Sequence, residues 1–366
     1  MTGKHSPIDL FRKTAGLTAL FTIILLSAGR AFAQNAPPQD TSAHTARMVT
    51  VADGVQLEVL DWGGDGRPLV FLAGLGATAH DFDSFAPRFV GQYHVYGITR
   101  RGFGASSKPS PDSSNYTAER LGDDVLAVID TLKLDHPVLV GASLAGEELS
   151  SVADRHPDRL AGVIYLDAAY AYAYYTPGTL NPANANLTMD IKDLRKKIKA
   201  LAPLWLKPQE GVAAIDALLN TDLPQLREDL IASQAAMRKM PAAPPMPAMP
   251  PGAAPSPQAK INQAIMDGME KFGHLKVPVL AIFAAPHAPP PNAPSPAMLE
   301  YFTAADRIAN DGLVERYRKG NPEAHVVVIP NAQHAVFRSN GDDVVREMEA
   351  FLTRLPEAGA REGRSP

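Results

Sequence analysis

Short apolar runs recur along the chain, at Met48–Val51, Gln56–Leu60, Pro68–Leu72, His94–Ile98, Pro137–Val140, Gly162–Leu166, Pro278–Phe283 and His325–Ile329. Several are unbroken rather than alternating, the pattern of strands covered on both faces in a parallel sheet. Between them the apolar positions return every three or four residues. Ala118–Leu132 sets Leu121, Val125, Val128, Ile129 and Leu132 on one face, and Thr303–Arg318 and Asp342–Leu352 are periodic in the same way. Strands that alternate with helices predict an α/β fold, with a mostly parallel eight-stranded sheet flanked by helices.

One interval breaks the alternation. From Asp167 to Pro278 no clear strand is written, while helical periodicity runs over Asp190–Ala202, Glu210–Asn220 and Leu223–Lys239. The sequence therefore divides into a core at 47–169, an inserted helical cap at 170–275 and a second part of the core at 276–355. Within the cap, eight of the eighteen residues of Met240–Pro257 are Pro, which reads as a stiff, polyproline-like linker. A second Pro-rich stretch, Pro286–Pro296, reads as a loop at the same sheet edge. Residues 34–46 read as a flexible leader and 356–366 as a disordered tail.

The first 33 residues stand apart. Lys4, Arg12 and Lys13 precede the apolar run Ala15–Gly29, and Ala31-Phe32-Ala33 follows as a small-x-small cleavage site. This is the layout of a secretory signal peptide cleaved after Ala33, and the expectation is a periplasmic or secreted protein. The rival reading is a retained anchor, but the run falls short of the ~20 apolar residues a spanning helix needs. No stable membrane anchor is expected after cleavage.

Composition narrows the class. Among 366 residues, 45% are hydrophobic and 20% charged, so the chain can bury a sizeable core. It has no Cys, which excludes a disulfide scaffold and thiolate metal sites. The net charge of −4 gives no electrostatic reason to expect a nucleic-acid partner. No His-x-x-x-His pattern is present, and neither a metal nor another cofactor is expected.

The chemistry gathers at strand ends. In Pro137-Val-Leu-Val-Gly141-Ala142-Ser143-Leu144-Ala145-Gly146 an apolar strand runs straight into a Ser with small residues two before and two after, and a helix continues from Glu147. Such a turn forces the Ser into a strained backbone conformation and needs Gly141 and Ala145 to be small. It aims the hydroxyl off the sheet beside a helix N-terminus, where backbone N–H groups can stabilise an oxyanion.

With this segment, three further stretches make the chain resemble an α/β-hydrolase-fold serine hydrolase from about residue 47 to 355. Leu72-Ala73-Gly74-Leu75-Gly76 is similar to the family's oxyanion loop, with Ala73 in place of its usual His. Arg100-Arg101-Gly102-Phe103-Gly104-Ala105-Ser106 resembles the turn after the fourth strand. Ile329-Pro330-Asn331-Ala332-Gln333-His334 resembles the loop that carries the catalytic His. The resemblance implies Ser143 as nucleophile, although Ala145 stands where Gly is usual. A Ser there disfavours epoxide hydrolase and haloalkane dehalogenase chemistry, which uses an Asp.

Of ten His, only His334 lies in a loop just beyond the final strand, within reach of Ser143. The acid is less plain. The family most often places it after the seventh strand, but Ile282-Phe283-Ala284-Ala285-Pro286-His287 carries no carboxylate. A variation within the family puts it after the sixth, where Asp167 stands, and the order Ser143, Asp167, His334 is then kept. Asp306 is the competing candidate. The N–H groups of Leu75 and Leu144 are expected to hold the oxyanion. Gly74, His80 and Tyr170 are candidates for substrate binding, His80 and Tyr170 each with a structural alternative as helix cap and cap core. His287 is undecided between pocket and structure.

The sequence thus predicts a serine hydrolase acting on a small-molecule carboxylic ester, apolar or aromatic in view of Tyr170, Tyr172, Tyr174, Tyr175 and the cap methionines. Three alternatives stay open: an amidase or aminopeptidase-like enzyme using Glu147 or Glu148 to anchor an amine, a C–C bond hydrolase, and a binding protein without catalysis. Arg100 and Arg101 read as ion-pair partners that anchor their turn.

Overall fold

A computed structural model describes residues 42–170, 187–239, 241, 254–273, 275–289, 295–310 and 312–356. Their eight strands form one sheet: β1 (Thr45–Ala52), β2 (Val55–Gly63), β3 (Pro68–Leu72), β4 (His94–Ile98), β5 (Val138–Ala142), β6 (Gly162–Leu166), β7 (Val279–Phe283) and β8 (His325–Val328). Their spatial order is β1-β2-β4-β3-β5-β6-β7-β8. The pairs β1/β2 and β2/β4 are antiparallel and all the others parallel. Strands β5, β6 and β7 are buried at every residue, as their unbroken apolar runs require.

Helix α1 (Ala118–Leu132) starts at Thr117, whose side chain accepts from the Arg120 N–H, and buries the face read from its periodicity. Helix α2 (Ala145–Arg155) follows β5 after only Ser143 and Leu144. Between β6 and β7 lie α3 (Leu187–Leu201), α4 (Pro208–Ala217), α5 (Leu223–Lys239) and α6 (Pro257–Gly268), with no strand among the described residues there. The chain closes with α7 (Pro296–Asn310), α8 (Leu313–Gly320), β8, a short turn of helix α9 (Val336–Ser339) and α10 (Gly341–Leu352).

Four expectations are corrected. The segment Thr303–Arg318 is two helices, because Gly312 takes a left-handed φ of 64° and stops the first from running on. Thr45 and Ala46, counted with the leader, are strand: they pair with Asp61 and Leu60, and Ser42 accepts from the Trp62 indole. Helix α6 was not expected beside a Pro-rich stretch. It begins at Ser256, which accepts from the Ala259 N–H, with Pro257 in the first turn where its missing donor costs nothing. Pro356, counted with the tail, is held, since its carbonyl accepts from Arg67. The signal segment, most of Met240–Pro257 and residues 357–366 lie outside the described residues.

An aromatic cluster joins two of the loops above the sheet. Phe71 of β3 packs on Phe82, Phe85 and Phe89 with ring centroids 5.0–6.1 Å apart. Phe337, three residues past His334, packs at a tilt on Phe82 at 4.7 Å and on Phe85 at 5.7 Å between centroids. The loop carrying His334 is thereby tied to the segment that follows β3.

Candidate active site

Strand β5 delivers Ser143 into a turn so tight that its φ is 53°, a left-handed value costly for a residue with a Cβ. The turn closes because its neighbours are small. A Cβ on Gly141 would stand 2.6 Å from Leu149 Cδ1 and 3.1 Å from Ala145 Cβ, and one on Gly74 would stand 3.2 Å from Ser143 Cβ. Gly74 is therefore glycine so that the loop after β3 can lie against the Ser143 side chain.

That loop is held from below. Arg100 donates from Nη2 to the Ala73 carbonyl at 2.8 Å and from Nη1 to the Gly74 carbonyl at 3.2 Å. Its guanidinium is itself gripped by Glu148 of α2, with Nε–Oε1 and Nη2–Oε2 both at 2.5 Å. Arg101 makes a second buried fork to Asp124 of α1. Both arginines anchor their turn.

Asp167 follows β6 as Ser143 follows β5, and it too is left-handed, with φ 49°. Its N–H donates to the Ile282 carbonyl at 2.8 Å, and its Oδ1 accepts from the Ala284 N–H at 2.9 Å, so β7 fixes the carboxylate. The loops after β7 and β8 are cross-tied, Asn331 N–H to Pro286 carbonyl at 2.9 Å and Ala288 N–H to Ala332 carbonyl at 2.7 Å. This brings His334 and His287 side by side, their ring centroids 5.7 Å apart.

The result is one continuous chain of polar contacts. Ser143 Oγ lies 2.7 Å from His334 Nε2, and His334 Nδ1 lies 2.6 Å from Asp167 Oδ2. The same Oδ2 lies 2.6 Å from His287 Nε2, and His287 Nδ1 lies 2.6 Å from Asp306 Oδ1. Tyr170 donates its hydroxyl to Asp167 Oδ2 at 3.0 Å, and Asn310 donates to Asp306 Oδ1 at 2.7 Å. Ser143 is 8% exposed and Asp167 1%.

Burial alone would raise the Asp167 carboxyl. The His287 charge and the bonds from both imidazoles outweigh it and hold the group well below the ordinary carboxylate range. Burial likewise disfavours a charged His287, yet Asp167 and Asp306 on its two sides lift it to about 10. Asp167, His287 and His334 also place donor atoms within 4.8 Å of one another. Their N–O separations of 2.6 Å are hydrogen bonds, far shorter than the about 3.4 Å between two ligands of a tetrahedral zinc.

The structure thus brings Ser143, His334 and Asp167 together, and of the two carboxylates left open by the sequence it is Asp167 that reaches His334. Asp306 joins the group one residue further on, through His287. Tyr170 turns its hydroxyl onto Asp167, with its ring centroid 6.1 Å from that of His334. His80 stands outside the group, on a 3₁₀ turn, bonded to Asp83 at 2.9 Å and edge-on to the His44 ring at 5.4 Å. Glu148 is committed to Arg100, and Glu147 Oε1 accepts from the Glu270 N–H at 2.5 Å. His287 and Asn310 were not assigned to the site from sequence. The signal for His287 was its place just past β7, where a carboxylate was sought and a histidine was found.

A sheet of this order with a sharp strand-to-helix turn after β5 is that of an α/β hydrolase. The sequence profile of the alpha/beta hydrolase family matches residues 69–347, and the chain belongs to that family. Hydrolases are among its relatives. It is 21% identical over 289 residues to the 2-(acetamidomethylene)succinate hydrolase of Mesorhizobium japonicum, covering 79% of this chain and 89% of the relative. It is 31% identical over 115 residues to a fluoroacetate dehalogenase of a Burkholderia species, over 31% of this chain and 38% of that protein. Among solved structures, a membrane phospholipase A described as a bacterial virulence factor aligns with a TM-score of 0.53 at 17% identity, over 94% of this chain and 96% of the other.

Proposed function

We propose that this protein is an exported serine hydrolase that cleaves a carboxylic ester through Ser143, His334 and Asp167. The observation that carries the reading is the pair of contacts at His334, 2.7 Å to Ser143 Oγ and 2.6 Å to Asp167 Oδ2. His334 takes the Ser143 proton as the oxygen attacks the carbonyl carbon, and the carbonyl electron pair moves to oxygen. Collapse expels the alcohol with the proton that His334 returns, leaving an acyl-serine. His334 then activates water, which releases the acid and restores Ser143. Asp167 orients the ring and balances the charge it gains.

The N–H groups of Leu144 and Leu75 hold the oxyanion, each worth on the order of 3 kcal/mol in the transition state. Support comes from Leu144 opening the way into α2 and from the close approach of Gly74 to Ser143. The proposed steps use only side chains, backbone and water. Export is proposed on the N-terminal pattern ending at Ala33, and an apolar or aromatic acyl group on the aromatic and Met content of the segment after β6.

The engagement of Glu147 and Glu148 in structural bonds argues against their anchoring a substrate amine. The test is turnover by the purified protein of a panel of matched esters, amides and β-diketones, alongside Ser143→Ala. Ester cleavage that vanishes in the variant supports the reading. Preferred cleavage of the amide or the diketone moves the assignment to one of those classes.

A further inference from the structure

Asp167 faces two imidazoles, and only one of them is used by the mechanism. Both nitrogens of His287 lie 2.6 Å from a carboxylate oxygen, Nε2 from Asp167 Oδ2 and Nδ1 from Asp306 Oδ1. A neutral imidazole has one N–H and can serve only one such acceptor, so with both carboxylates ionised the two short contacts need both nitrogens protonated. Asn310 donates to the same Oδ1 at 2.7 Å, as it would to an ionised carboxylate, and its Nδ2 lies 3.2 Å from His287 Nδ1. The ring is largely buried, its side chain 14% exposed, so its charge acts over short range with little screening.

We propose that His287 is a positioning residue, a fixed imidazolium clamped between Asp167 and Asp306 that aims the Asp167 carboxylate at His334 and moderates the negative charge His334 meets. The proposal rests on the serine-hydrolase reading. The three linked groups carry one net negative charge between them, as a single carboxylate would. Part of that charge, however, is moved away from His334 to Asp306, while a cation stands 5.7 Å from the His334 ring. The titratable groups set against His287 are Asp167, Asp306, Tyr170 and His334, and Asn310 is its neutral neighbour.

Opposite charge changes should then move the pH dependence in opposite directions. His287→Gln keeps an N–H donor for Asp167 but removes the cation, and the acid limb of kcat/KM should move up by about one pH unit, a tenfold loss of activity on that limb. Asp306→Asn removes the far negative charge and leaves the cation, so the limb should move down. If either variant fails to fold, the other still decides. A uniform loss of kcat with an unmoved limb in the folded variant would mean a merely structural His287 and would overturn the proposal.

A second readout needs no activity. In ¹⁵N NMR of the wild-type protein, His287 should be doubly protonated at pH 8 and titrate near pH 10, with the midpoint lowered by a unit or more in Asp306→Asn. A neutral His287 at pH 8 overturns the proposal. If the wild type cleaves nothing in the panel, the hydrolase reading fails on its own, while this titration still decides whether the bridge exists.

Discussion

Nε2 of His334 and Oγ of Ser143 stand 2.7 Å apart although 191 residues separate them in the chain. The contact exists because two parallel strands end at the same sheet edge and because Phe337 locks the second loop onto Phe82 and Phe85.

Asp167→Asn should lower kcat/KM by about 10³–10⁴-fold, since the amide cannot hold the same imidazole tautomer. Asp306→Asn, one residue removed from His334, should cost far less at the pH optimum. Steady-state kinetics on folded proteins give the ranking, and the reverse order would transfer the acid role to Asp306.

Ser143 stores backbone strain at φ 53°. Ser143→Gly should abolish turnover yet stabilise the fold by about 1 kcal/mol, because glycine adopts that conformation without a Cβ clash. Chemical denaturation measures this, and a destabilised Gly variant would contradict the strain argument.

The fork between Arg100 and Glu148 is buried on both sides, at 5% and 4% side-chain exposure. Arg100→Met should cost about 3–5 kcal/mol by leaving a buried carboxylate unpaired, and adding Glu148→Leu should recover most of it. Additive losses in the double variant would mean that the two side chains contribute independently and would contradict the orphaned-charge account.

Stability should also depend on alkaline pH through His287. Its folded value, about 10, lies above the ordinary histidine range, so the folded state binds the proton more tightly. That contribution is complete below about pH 6.5 and is lost as pH rises toward 10. Asp167 works in the opposite sense, contributing above the ordinary carboxylate range and losing its share as pH falls into strong acid. Denaturation midpoints between pH 6 and 10 should fall for the wild type and flatten in His287→Gln. Equal slopes would remove His287 from the balance.

Much of this was legible in the sequence because the decisive signals are local. Pro68–Leu72, His94–Ile98 and Gly162–Leu166 are strands at the limits their apolar runs set, and Gly141 and Ala145 announce the turn around Ser143. What was not legible depends on contacts between distant segments. The choice between Asp167 and Asp306 is made by the Ala284 N–H and by the crossing of two loops, 117 residues from Asp167. The inward turn of the Tyr170 hydroxyl is of the same kind, since an aromatic residue after a strand carries no mark of which way it faces. Helix α6 was missed for another reason: the Pro-rich run before it masked the Ser256-Pro257 start signal.

The most direct test of the central claim is active-site labelling with a fluorophosphonate, the adduct mapped by peptide mass. The account predicts rapid, stoichiometric modification of Ser143 that is lost in His334→Ala. A folded wild-type protein that forms no adduct at Ser143, or that labels equally well without His334, would contradict it.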